Sequence, residues 1–178
     1  MKTRFFEKQT GQNRETRASL KSGEGLKLEE CITINRSPSE LYTFWRRLEN
    51  LPRFMKHLES VTEDTGGGSH WVMKASPGNE LEWDAQIIEE KPGEMISWQS
   101  LEGAELANAG SVWFTPAQDG RGTELKVSMK YSPPGGKLAA TFAKLVGVSA
   151  EHKLREDLLN LKEMLERSDT LESTDVPS

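Results

Sequence analysis

Few side chains in this sequence combine the type and the spacing that chemistry needs. His57, His70 and His152 are the only histidines, and no two of them share a helix face or a short loop. A structural or catalytic metal needs several such ligands converging at fixed distances, so no metal site is expected. The residues that could move a proton are His57, Glu30 and Tyr131. His57 follows a short helical turn. Glu30 shares strand parity with Leu28 and Ile32, which aims its carboxylate toward an apolar face where a charge needs a partner. Tyr131 ends an alternating strand on its apolar side.

Other candidates fall away. Cys31 is the lone cysteine, so no internal disulfide forms, and its parity puts it opposite Ile32 and Ile34. No Gly-x-Ser-x-Gly elbow is present. Glu80, Glu82 and Asp84 lie together, but they alternate with Leu81 and Trp83 and so belong to a solvated outer face. Gly66–Gly68 and Gly120–Gly122 sit in hairpins, and Gly135-Gly-Lys137 opens a helix without the rest of a phosphate loop. No cofactor is expected.

The elements that must position these groups are legible in the periodicities. Leu26, Leu28, Ile32 and Ile34 share one parity, the mark of a half-buried strand. Ser37-Pro-Ser-Glu40 is a capping box with proline at the first helical position. Leu41, Phe44, Trp45 and Leu48 then mark one helix face, and a second short helical turn is expected at Asn50–Met55. Period-two segments follow at about 57–64, 69–75, 80–90, 94–101, 109–116 and 123–131, separated by Gly- and Pro-rich turns. One-faced alternation joined by tight turns predicts an antiparallel meander. Beyond Pro133–Gly136 the spacing predicts a long helix to about Arg167, with a bend near Gly147 and Ser149.

The chain has 178 residues, 35% of them apolar and 29% charged, with 23 basic and 28 acidic side chains for a net charge of −5. That length suits one domain. The acidic balance argues against DNA or RNA as the main partner. Residues 1–25 and 168–178 offer almost nothing to bury, so both are expected to be disordered, leaving one domain at 26–167. No stretch reaches the length of a membrane span and no signal-peptide core is present, so the expected location is the cytoplasm.

The order strand, two short helices, six strands, long helix resembles the helix-grip fold of the START-like SRPBCC superfamily. Within it the chain is similar to the polyketide cyclase/dehydrase and lipid-transport family, with its coenzyme Q-binding branch. The residues carrying the likeness are Pro38–Trp45, Leu48–Met55, Glu82–Ile87, Pro92–Trp98, Gly110–Phe114 and Gly122–Leu125. The resemblance implies an α+β domain in which a curved antiparallel sheet grips the C-terminal helix. It also implies an apolar cavity between them. Its walls would be Phe54, Trp71, Met73, Trp83, Trp98, Met129 and Tyr131, with Leu138 and Phe142 from the helix. Three functions follow as expectations. The first is binding or transport of a lipid, quinone or polyketide-like molecule without catalysis. The second is a cyclase/dehydratase using His57, Glu30 and Tyr131. The third is a protein-interaction role in which the basic tail contributes.

Overall fold

The computed structural model describes residues 25–76, 78–132 and 150–172. The chain builds β1 (Leu26–Ile34), α1 (Pro38–Arg46), a 3₁₀ helix (Leu48–Arg53), β2 (Leu58–Glu63), β3 (Gly68–Ser76), β4 (Asn79–Lys91), β5 (Met95–Ser100), β6 (Ala107–Pro116), β7 (Thr123–Ser132) and α2 (Ala150–Glu172). All seven strands form one antiparallel sheet in the order β1-β7-β6-β5-β4-β3-β2. Register shifts at Leu58/Ser60, Lys74/Ser76 and Ile87/Glu89 bend β2, β3 and β4. This is the expected curved sheet with a long C-terminal helix.

Local sequence explains the entry into α1. Ser37 Oγ accepts from the Glu40 backbone N–H at 3.2 Å, and Glu40 Oε2 accepts from the Ser37 N–H at 2.8 Å. These bonds satisfy donors that the first helical turn leaves over. After α1 the chain tightens into a 3₁₀ helix at Leu48–Arg53, a little earlier than the expected turn. Pro52 has no N–H to donate, which favours the shorter geometry here over an α-helix.

The core is apolar and contiguous. Trp45, Leu41, Leu51, Leu81, Ile96, Val112, Leu125, Leu158 and Leu161 are almost fully buried. Trp45 packs against Phe54 at 5.4 Å and Phe114 at 6.4 Å between ring centres, closing one end of the fold. The outer parity behaves as the alternation requires: Glu80, Glu82 and Asp84 are exposed, and His70 lies 2.8 Å from Asp84 and 3.3 Å from Glu82. Those two carboxylates, with the Asp84 hydrogen bond foremost, push the His70 pKa up. Cys31 is exposed as its parity implies, and burial together with Glu124 raises its thiol pKa, which disfavours a nucleophilic thiolate.

Helix α2 is tied to the sheet edge by polar contacts at its far end. Glu166 Oε1 accepts from the Asn35 N–H at 2.9 Å, Lys162 Nζ donates to the Thr33 carbonyl at 2.7 Å, and Arg36 donates to the Leu165 carbonyl. The helix continues to Glu172, into the segment expected to be a disordered tail. Its side chains at 162–167 are anchored on β1 and the turn after it, so the helix ends later than apolar periodicity alone implied. The expected N-terminal tail, the start of the long helix with its bend, and Leu138 and Phe142 lie outside the described residues.

Gly122 fixes the closing of β1 onto β7. Its φ is +85°, and an added Cβ would lie 2.8 Å from Asn35 Cα and closer still to the Ile34 carbonyl oxygen. Both obstacles are backbone. Gly122→Ala is therefore expected to destabilise the fold by about 2–3 kcal/mol, read as a lower urea midpoint with an unchanged slope.

Candidate ligand-binding cavity

Between the concave sheet face and α2 lies a cavity of about 80 Å³. Strand alternation delivers its sheet wall: Trp71 and Met73 from β3, Trp83 from β4, Trp98 from β5, and Met129 and Tyr131 from β7. The loop before β2 adds Met55 and His57, and α2 adds Lys153, Leu154 and Asp157. In composition, large apolar side chains with a few polar groups, the cavity has the usual form of a small-molecule site; its volume is below the roughly 300–1,000 Å³ of such sites, so a drug-sized ligand enters only as the wall widens.

The sheet wall is held in place by its own contacts. Trp71 and Trp83 stack with ring centres 5.9 Å apart and planes 20° apart. The Trp71 indole donates to Ser69 Oγ at 2.8 Å, and Ser69 in turn donates to the Ala85 carbonyl at 3.3 Å. Asn108, also in the wall, donates through Nδ2 to the Leu106 carbonyl at 2.9 Å. Trp98 pairs with Gly110 on β6. A Cβ at Gly110 would lie 2.7 Å from Trp98 Cε2 and 2.8 Å from its Cη2. The indole therefore lies across a position that only glycine leaves bare.

The polar groups gather on the helix and loop side. Asp157 Oδ1 accepts from the Lys56 backbone N–H at 3.3 Å. Burial pushes its carboxyl up to about 6, against the opposing pull of that hydrogen bond and of Lys56 and Lys153. Burial, helped by the Lys153 ammonium, pushes the His57 imidazole down. Tyr131 donates to Met129 Sδ at 3.6 Å; burial first and the Asp157 charge second push its phenol up, so it stays neutral. An apolar molecule held here would meet a carboxyl able to take or give a proton near neutral pH.

Of the residues chosen from sequence, His57, Trp71, Met73, Trp83, Trp98, Met129 and Tyr131 come together in this wall. Phe54 does not line it. It is buried in the aromatic cluster with Phe44 and Trp45, and its neighbour Met55 takes the wall position. The 3₁₀ helix ends at Arg53, and the two residues that follow it turn to different neighbours. Glu30 is half-buried beside Leu28 but does not border the cavity; along β1, Leu28, Ile32 and Ile34 turn toward the core, and of these Leu28 borders the cavity. Asp157, Lys153 and Asn108 were not foreseen. Lys153 and Asp157 are four residues apart along the border of the Leu154–Leu158–Leu161 stripe, which was the available signal. Among the described residues no group of three or more His, Cys, Asp or Glu is placed to hold a metal ion, and no helix is long and apolar enough to cross a membrane.

A curved antiparallel sheet gripping one long helix, with an apolar cavity between them, defines a helix-grip domain. The chain matches the family described as polyketide cyclase / dehydrase and lipid transport over residues 34–159, and it belongs to that family. It is 32% identical over 107 residues to an uncharacterized 17.2 kDa protein of Streptomyces lincolnensis, a match covering 60% of this chain and 69% of that one. The crystal structure of DR_A0006 from Deinococcus radiodurans is similar with a TM-score of 0.66 and 33% identity, covering 80% of this chain and 98% of that one. The Zhui aromatase/cyclase from Streptomyces sp. R1128 is similar with a TM-score of 0.62 over 81% of this chain and 95% of that one; at 16% identity the likeness is one of fold alone.

Two outcomes follow from the wall. Gly110→Ala pushes the Trp98 ring from its seat and reshapes the wall; uptake of indane, a rigid hydrocarbon serving as a probe of the space, is expected to weaken about tenfold by titration calorimetry. The pair Gly110→Ala with Trp98→Leu restores it. Asp157 has a folded pKa above its unfolded value of 3.8, so it stabilises the fold in acid, and that contribution is lost as pH rises from about 4 through about 6. His57, with a lowered pKa, has the opposite slope. Asp157→Asn is therefore expected to raise stability at pH 8 relative to wild type by on the order of 1 kcal/mol after screening of a partly exposed group, read as a higher Tm. The opposed slopes of His57, whose pKa is lowered, and His70, whose pKa is raised, remain in the variant.

Proposed function

We propose that this chain binds or carries an apolar small molecule, of lipid, quinone or polyketide-like type, in the cavity between the sheet and α2. The observation that carries this reading is the sheet wall itself. Trp71, Trp83, Trp98, Met73 and Met129 present large apolar surfaces to a space of about 80 Å³ that they line together with α2. Withdrawing a ligand's apolar surface from water at about 25 cal/mol per Å² supplies the driving force, from which the ordering of both partners subtracts.

A second reading is favoured by Asp157. A carboxyl titrating at about 6, bordering the same cavity as the neutral Tyr131 phenol, suits proton transfer on a bound, enolisable compound. A fold shared with an aromatase/cyclase agrees with this but does not by itself assign an activity.

One experiment separates the readings. Native mass spectrometry of the purified chain, followed by solvent extraction, is expected to find a co-purifying apolar molecule. Returned to the empty protein, that molecule rebinds unchanged under the binding reading. Conversion to a new product that Asp157→Ala abolishes would instead establish the enzyme. A protein that carries nothing and takes up no indane would overturn both.

A further inference from the structure

Trp83 is chemically unlike the rest of the cavity wall. Its indole Nε1–H is, among the described residues, the one fully buried side-chain polar atom that meets no acceptor. The residue is 5% exposed, stacks on Trp71 and borders the cavity. Trp71, on the next strand, shows the usual arrangement: its own N–H reaches Ser69 Oγ at 2.8 Å. A buried donor without an acceptor costs about 1–3 kcal/mol. Native interiors retain few of them, and each calls for a reason such as a bound water or ligand.

We infer that the molecule held in the cavity carries a neutral hydrogen-bond acceptor, a carbonyl or ether oxygen on an otherwise apolar body, and that the Trp83 indole N–H donates to it. This deepens the binding reading and rests on it. The acceptor is neutral because no cation lies beside Trp83 on the sheet: Trp71 faces it across the strands, Leu81 shares its face of β4, and the cleft on its other side carries Glu80, Glu82 and Glu105. An anionic oxygen there would lose its hydration with no counter-charge. The ammonium of the wall, Lys153, belongs to α2 on the opposite side. Such a bond does little to raise affinity over water, since the ligand oxygen gives up its own hydration. It does make the site reject a molecule of the same shape that lacks the oxygen, because that molecule leaves the N–H unpaired. Trp83 would thus select among apolar ligands of equal size.

Trp83 also borders an open cleft between β4 and the 101–105 loop, lined by Glu80, Glu82 and Glu105. A water molecule entering from that side is the competing acceptor. The test uses 1-indanone and indane, which match in size and differ in one carbonyl. In ¹⁵N-labelled wild-type protein the sequentially assigned Trp83 indole N–H resonance is followed during titration with each. The expected result is a downfield movement and slower hydrogen exchange with 1-indanone, and neither with indane. By calorimetry, Trp83→Phe is expected to lower the ratio of 1-indanone to indane affinity about fivefold to tenfold. A Trp83 resonance that treats both probes alike, or a ratio that survives Trp83→Phe, overturns the inference while indane binding leaves the cavity reading intact. If neither probe binds, both fall. Should Trp83→Phe not fold, the wild-type resonance decides alone.

Discussion

A seven-stranded antiparallel sheet with one apolar face must have that face taken out of water, and here one helix is the main cover. The constraint shapes everything else. Among the described residues, helix α2 offers Ala150, Leu154, Leu158 and Leu161 to that face, a stripe about as wide as one helix face. Bending β2, β3 and β4 through their register shifts brings the outer strands toward the helix. α1 and the 3₁₀ helix close one end with Trp45, Phe54 and Leu51. The cavity lies between this face and α2, lined from β1, β2, β3, β4, β5, β6 and β7.

The side chains around that space are fixed by contacts outside it. Trp98 lies across Gly110, Trp71 is held by Ser69, and Asp157 is tied to the backbone at Lys56. Each bond or close approach restricts a rotamer that faces the cavity. Asp157 is the group most altered by the enclosure: dehydration favours its neutral form more than the nearby ammonium groups favour its charge. A ligand filling the cavity would dehydrate it further, so occupancy and protonation of this wall are linked.

Family membership and site chemistry speak to different questions. The match over residues 34–159 fixes the architecture, and a common architecture serves unrelated functions. The character of the site lies in the composition of its wall. Three indoles and three thioethers make it adaptable and apolar, while the carboxyl and imidazole are confined to the helix and loop side. The balance between retention and turnover therefore lies in a handful of side chains rather than in the fold.

Element order, strand bounds to within a residue or two, the capping box and the inward parity of Trp71, Trp83, Trp98, Met129 and Tyr131 were legible in the residues alone. These follow from local rules, because a period of two or 3.6 assigns faces without reference to the rest of the chain. Local rules also carried the solvated face of Glu80, Glu82 and Asp84. Which inward residues border a cavity and which fill the core depended on how distant elements pack. Phe54 and Met55 are neighbours just past the 3₁₀ helix, yet the first joins the aromatic cluster and the second the wall. Leu28 and Glu30 share a parity on β1, yet Leu28 alone of the two borders the cavity. Asp157 and the unpaired indole of Trp83 acquired their character only when distant segments closed over them, since desolvation is a property of surroundings that no spacing encodes.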